Sequence, residues 1–248
     1  MVNFLELTKK YYSQWLDIDI DQMDKKGIVL IRTDKRKRCP KGYPKNLEVY
    51  AIANNSSLFI SFSPDIDEEV NISKIFSKLT SVDAGVAKLK ELFGERLYHR
   101  KTYYFSKLPD DIDTSEVICM KKENYADYLS FFMKQHPNAS PEGWLEKYFT
   151  KISEEKRCYG IYKDNILVSV TDAPDIPFME GIITEPGVNT LAEYRGKGYA
   201  KAVCAKYLEN AISRNEVPIW TCLHNNIASC KLAEKLGYKW FADLYTVQ

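Results

Sequence analysis

Nowhere in these 248 residues do two cysteines form a C-x-x-C pair, and the three histidines, His99, His136 and His224, stand at no zinc-ligand spacing from a cysteine or from one another. A structural or catalytic metal site is therefore not expected. The six cysteines, Cys39, Cys119, Cys158, Cys204, Cys222 and Cys230, are scattered, several inside apolar runs, as buried free thiols are in a reducing cytoplasm. Long apolar runs are missing too, and the stretch from Met1 to Tyr12 is charged within its first ten residues. That excludes the pattern of a membrane span or a signal peptide, so the chain is expected in the cytoplasm with no membrane partner. An excess of one charge is also lacking: 35 Lys and Arg face 34 Asp and Glu, for a net charge of +1. No global field draws the chain to nucleic acid, and none is expected as a partner. The sequon Asn54-Asn55-Ser56 carries no chemistry in a cytosolic protein. No nucleophilic triad is visible.

What is present is ample apolar material, with 45% hydrophobic and 13% aromatic residues. At this length two modest domains are expected, and the acidic, turn-forming stretch Pro109 to Asp113 divides them into residues 1–113 and 114–248. In the first unit Phe4, Leu7, Tyr11, Tyr12 and Trp15 share one face of a helix. From Arg32 to Lys45 seven basic residues stand against one Asp, broken by Pro40, Gly42 and Pro44, which reads as a solvated connecting loop. The runs 47–53 and 58–62 flank Asn54 to Ser57 and predict a hairpin. Helical spacing from Ile72 to Phe93, broken near 81–85, precedes a Tyr-rich strand at 97–105. The second unit reads β-α-α-β-β-β-α-β-α-β. Its helices are at 124–133 and 141–150, with Ser140 as cap, and a hairpin turns at Lys163-Asp164-Asn165.

The informative stretch follows. A strand from Glu180 to Leu191 is interrupted by Pro186-Gly187, and proline cannot donate to a sheet ladder, so neighbouring strands are expected to part there. The chain then passes through Arg195-Gly196-Lys197-Gly198-Tyr199-Ala200 into a helix, where Ala200, Val203, Cys204, Tyr207, Leu208 and Ala211 recur at three- and four-residue steps. Such a junction offers unpaired N–H groups at the positive end of a helix, glycines that let a phosphate approach, and flanking cations in Arg195 and Lys197. Lys201 at the third glycine position excludes a dinucleotide-binding fingerprint, and no Gly-Lys-Ser/Thr makes a P-loop.

Arg195, Gly198 and Ala200 match the Gln/Arg-x-x-Gly-x-Gly/Ala pattern of the GCN5-related N-acetyltransferase (GNAT) superfamily, and the string from Val188 to Ala200 resembles that family throughout. Downstream, Asn226, Ser229, Leu232, Glu234, Lys235, Leu236, Gly237 and Tyr238 resemble its closing helix and Lys-Leu-Gly-aromatic ending, so the resemblance covers the C-terminal half. It implies an α+β fold with a central mixed, mostly antiparallel sheet flanked by helices, and acetyl-coenzyme A as cosubstrate. Its diphosphate would lie on Arg195 to Ala200 with help from Asn226, and its pantetheine arm along Val188, Asn189 and Thr190. The activity implied is acetyl transfer to an amine, a small molecule being the expected acceptor. Oligomeric state is open, a homodimer included.

An ammonium has a pKa near ~10.4, so a base must take its proton. Glu185 and Glu180 are the carboxylates nearest the expected gap. The family commonly protonates the leaving thiolate with a Tyr whose position here is Ala233. Ser229, His224, Cys222 and Tyr238 are the substitutes in reach, and Asn226 doubles as a helix cap. The hairpin, helix and strand of the first half echo the order of the second, as a degenerate duplicated half-fold would. A non-catalytic acyl-CoA-binding or regulatory module is the alternative reading, motivated by Ala233.

Overall fold

The computed structural model describes residues 3–248. Helix α1 (Phe4–Leu16) starts where the Asn3 side chain accepts the Glu6 N–H and ends at Asp17 in the left-handed region. Strand β1 (Gly27–Arg32), the hairpin β2 (Val49–Ala53) and β3 (Ser57–Phe62), helices α2 (Pro64–Val70), α3 (Ile72–Phe76) and α4 (Val82–Phe93), and strand β4 (Tyr98–Phe105) follow. Then come β5 (Ile118–Cys119), α5 (Tyr125–Gln135), α6 (Leu145–Glu154), the hairpin β6 (Tyr159–Lys163) and β7 (Ile166–Asp172), and the short β8 (Ile183–Thr184) and β9 (Gly187–Thr190). Helix α7 (Tyr199–Ser213), β10 (Val217–Leu223), α8 (Ile227–Lys235) and β11 (Tyr238–Val247) close the chain.

Two sheets result. The larger has seven strands in the order β1-β3-β2-β11-β4-β10-β8, and the smaller has four, β5-β6-β7-β9. Among the described residues only β1 with β3 and β8 with β10 run parallel; the other pairs are antiparallel, which gives the expected mixed sheet. The larger sheet takes strands from both sides of residue 113, because β11 lies between β2 and β4. Strand alternation sorts the core. Trp220 and Cys222 of β10 face α7 and α8, together with Tyr103, Phe105 and Tyr238. Ile219 of the same strand faces the opposite way, under Tyr11, Tyr12 and Trp15 of α1. Helices α2 to α4 cover Val49, Ala51, Leu58 and Ile60, and α5 and α6 cover Leu167 and Val170. Each such fully buried large side chain contributes roughly 1.5–3 kcal/mol.

Two local readings change. Strand β1 was not anticipated from the sequence; its Gly27-to-Arg32 run is short and pairs only with β3, so its order comes from a distant partner. Helix α6 begins at Leu145 rather than 141, because Pro141 to Trp144 form a turn in which the Trp144 indole donates to the Ser140 carbonyl at 2.9 Å. Four of the seven basic residues in 32–45 form ion pairs. Lys35 pairs with Asp17, Lys37 with Asp65, Lys41 with Glu180, and Arg32 with Asp67 and Glu68. Arg36 is buried, donating to the Trp15 carbonyl at 2.7 Å beneath the Trp15 and Tyr50 rings.

Candidate active site

The strand broken at Pro186-Gly187 joins the two sheets. Ile183 and Thr184 pair with Val217 and Pro218 of β10, whereas Gly187 to Thr190 pair with β7. The chain thus leaves one sheet and enters the other within two residues, and β9 and β10 diverge beyond the crossing. A polar network fastens the closed end. Arg157 donates to Thr184 at 2.9 Å and to both oxygens of Glu216 at 2.6 and 3.2 Å, Arg214 adds a bond to Glu216 at 3.0 Å, and the Thr184 and Tyr207 hydroxyls are hydrogen-bonded to each other.

At the fork, β10 loses its neighbour and the Thr221 N–H has no strand carbonyl to meet. The Glu185 carboxylate takes it at 2.5 Å. An N–H left bare there would cost about 1–3 kcal/mol, so the bond fixes the carboxylate at the apex of the gap. Burial pushes its pKa up to about 7, with the Thr221 donor and the nearby Arg100 guanidinium pulling the other way. Asp172, the last residue of β7, stands opposite Gly187 and is raised to about 6, again by burial. A Cβ on Gly187 would lie 1.6 Å from the Asp172 carboxylate oxygen, so only glycine lets that carboxylate occupy the strand crossing.

The open edge of β9 has a definite pattern. Leu191 donates to Val168 of β7, and antiparallel alternation then turns the Asn189 backbone to β7 as well, leaving the N–H and C=O groups of Val188 and Thr190 facing the gap. Asn189 instead lines a second cavity, under α5 and α6, with its side chain. Beyond β9, the Arg195 Nε returns to the Thr190 carbonyl at 3.1 Å, which sets the turn and leaves the rest of the guanidinium free. Gly196 and Gly198 have φ of 78° and 88°, a region that L side chains rarely adopt, and a Cβ on either would meet open space. The first backbone bond of the helix start runs from Ala202 to Gly198; among the described residues the N–H groups of Tyr199, Ala200 and Lys201 meet no acceptor. Donors, positive φ and a cradle open to the glycine Cα atoms therefore coincide, with Lys197 lying over the Tyr194 ring at 5.0 Å. The residues fit a diphosphate.

The other candidates separate. Asn226 caps α8 through the Ser229 N–H at 3.1 Å. Ser229 lies on the α8 side of the sheet, where its oxygen accepts the Trp220 indole N–H at 3.1 Å. His224 is held on β4, stacked on His99 at 4.1 Å and bonded to the His99 carbonyl, on the side of β10 away from the gap. Glu180 is spent in an exposed ion pair with Lys41 at 2.6 Å. Tyr238 is buried, its hydroxyl on the Ile219 carbonyl, and Cys222 lies 3.5 Å from Cys230. Ala233 is fully buried in the core, so that turn of α8 presents no hydroxyl.

Sequence reasoning missed the chamber on the Glu185 side. A cavity of about 330 Å³ opens there, walled by Tyr11, Tyr12 and Trp15 of α1, Tyr43, Tyr50, Arg100 and Thr221. The signal was present as the aromatic density of the first helix, which helical spacing assigns to core. Tyr43 arrives from the basic loop, edge-on to Trp15 at 5.4 Å. Among the described residues no cluster of three or more metal-ligating side chains occurs, and no helix is long and apolar enough to cross a membrane.

The family model described as GNAT acetyltransferase matches residues 79–247, more than half of the chain. A Bacillus subtilis (strain 168) protein, the uncharacterized N-acetyltransferase YdfB, is 25% identical over 185 residues, covering 73% of this chain and 68% of its own. Among solved structures, an acetyltransferase of the GNAT family from Colwellia psychrerythraea aligns with a TM-score of 0.55 at 16% identity, covering 84% of each chain. A GCN5-related N-acetyltransferase from Sphaerobacter thermophilus aligns at 0.52 and 11% identity, covering 81% of this chain and 76% of its own.

Proposed function

Because the chain belongs to the GNAT acetyltransferase family, we propose that it moves an acetyl group from acetyl-CoA to the amine of a small molecule, with Glu185 as general base. Residues 114–248 seat the donor, and residues 1–113 shape the acceptor side, since Tyr11, Tyr12, Trp15, Tyr43, Tyr50 and Arg100 all come from them. The observation that carries the reading is a carboxylate with a pKa near 7 held at the apex of a strand gap that leads to an open, donor-lined glycine cradle.

Arg195 to Ala200 bind the diphosphate through main-chain N–H groups and cationic side chains, and Asn226 keeps the start of α8 in place beside them. Bound acetyl-CoA supplies an activated thioester carbonyl. The gap-facing groups of Val188 and the Thr190 N–H would hold the arm that carries it, and a backbone N–H there would stabilise the oxygen on which charge develops. Glu185 accepts the proton shed by the amine, directly or through one water in the chamber. The amide C–N bond forms as the thioester C–S bond breaks. A thiol has a pKa near ~8.5, so the thiolate leaves without a strong acid.

Thiol release from acetyl-CoA against a panel of amines, run beside a calorimetric titration with acetyl-CoA, tests this. Transfer to any amine supports the enzyme. Tight binding with no transfer favours the non-catalytic acyl-CoA-binding module, for which Ala233 in the usual tyrosine position is the motive. Absence of binding removes both.

A further inference from the structure

The chamber beside Glu185 has a cation with no partner. Arg96, four residues earlier, is held by Glu48 and Glu69. Among the described residues Arg100 meets no carboxylate within ion-pair distance and donates no hydrogen bond; its guanidinium stands 6.0 Å from the Tyr98 ring, and the Glu185 carboxylate feels its charge across the chamber without reaching it. It lies on β4 opposite Leu223 and Leu244, and the cavity it lines is the one that contains Glu185. A guanidinium presents a planar fork of donors matched to a carboxylate, and a pocket that leaves the fork unused is matched to a ligand that brings one.

The facing wall is aromatic and closely packed. Trp15 stacks on Tyr50 with ring centroids 4.7 Å apart, Arg36 is buried against both, and Tyr43 closes edge-on. A volume of about 330 Å³ is at the small end of ligand sites, the size for one compact molecule. Three chemistries therefore meet in one chamber: a base for an amine, a cation for an acid and an aromatic wall for an apolar body.

We propose that the acceptor is an amino acid with a large apolar side chain, its carboxylate on Arg100, its amine towards Glu185 and its side chain against the Trp15, Tyr50 and Tyr43 wall. This rests on the acetyl-transfer reading and narrows its acceptor. The new bond is the amide at the amino group, the broken bond is the thioester, and the amine's proton passes to Glu185. A decarboxylated analogue keeps the amine and the apolar body and loses only the group that Arg100 reads.

The test uses the full chain, acetyl-CoA and matched pairs, phenylalanine with phenethylamine and tryptophan with tryptamine, in wild type, Arg100→Gln and Arg100→Lys. Thiol release gives kcat/KM for each. Wild type is expected to favour the acid-bearing member about tenfold or more, the worth of a charged hydrogen bond. Arg100→Gln should bring the ratio close to one, and Arg100→Lys should retain part of it. Because the ratio is taken within each variant, partial unfolding cancels. A wild-type ratio of one or less, a ratio unmoved by Arg100→Gln, or transfer to other amines but to neither amino acid overturns the proposal while the acetyltransferase stands. Failure to bind acetyl-CoA in the calorimeter sinks the underlying reading as well.

Discussion

Replacing Glu185 with Gln is the sharpest probe of the site, since the amide keeps the oxygen that meets the Thr221 N–H and removes only the proton acceptor. The carboxylate titrates near pH 7. At neutral pH it is therefore half in its working form, and one unit higher about nine-tenths so. A positioned base contributes typically 10²–10⁴-fold, about 3–5 kcal/mol at the barrier. We expect kcat/KM of the variant to fall by about that factor at pH 8 with acetyl-CoA binding retained. The acceptor amine also titrates, but its ionisation cancels in the ratio of wild type to variant at each pH. That ratio should climb about tenfold per unit below pH 7 and level off above it. A loss under about tenfold, or a ratio flat between about pH 6 and 8.5, would refute Glu185 as the base.

The same group has a stability signature. Its folded pKa of about 7 lies above its ordinary 4.5, so between those values the folded chain holds a proton that the unfolded chain has released, and stability falls as pH rises. Glu185→Gln lacks this loss, and its unfolding free energy from denaturant titration should gain on wild type from pH 4.5 to 7, by at most about 3 kcal/mol because water in the chamber screens part of the cost. Equal pH dependence of the two proteins would argue against the shift. Gly198→Leu puts a side chain into open space at a φ of 88°, so the fold should survive with about 1–2 kcal/mol of strain while acetyl-CoA binding weakens at least about tenfold by calorimetry. Unchanged affinity would move the diphosphate elsewhere. Gly237→Ala brings a Cβ within 1.7 Å of the Lys107 carbonyl oxygen at a φ of 85°, and thermal unfolding should drop by about 10 °C, the equivalent of roughly 3 kcal/mol or more. A change under about 2 °C would mean that the 107–109 segment yields freely.

The sequence carried the donor side well because that side is contiguous. Positive φ at Gly196 and Gly198, a proline that cannot join a ladder and a helix of regular apolar spacing are all local facts, and between Val188 and Ala200 they suffice to form an anion seat. The hairpin turns were legible for the same reason, with Asp164 and Asn165 in the left-handed region that their short polar side chains tolerate. Strand partners are another matter. Alternation identifies β4 and β11 as strands, yet nothing in either states that β11 enters between β2 and β4, because register is decided by which faces bury together across more than a hundred residues. The acceptor chamber inherits that difficulty. Arg100 and Thr221 come from two strands and Glu185 from the crossing between β8 and β9, which meet only once the sheet is woven, and Tyr43 comes from a loop whose charges, read singly, suggest solvent. Pairing of those charges with Asp17, Asp65 and Glu180 draws the loop down against α1 and delivers its one aromatic to the wall. A main-chain seat for a diphosphate needs a dozen consecutive residues, whereas a chamber that distinguishes one amine from another needs side chains from the whole fold. The residues that choose the acceptor are accordingly the ones that local pattern assigns to core and linker.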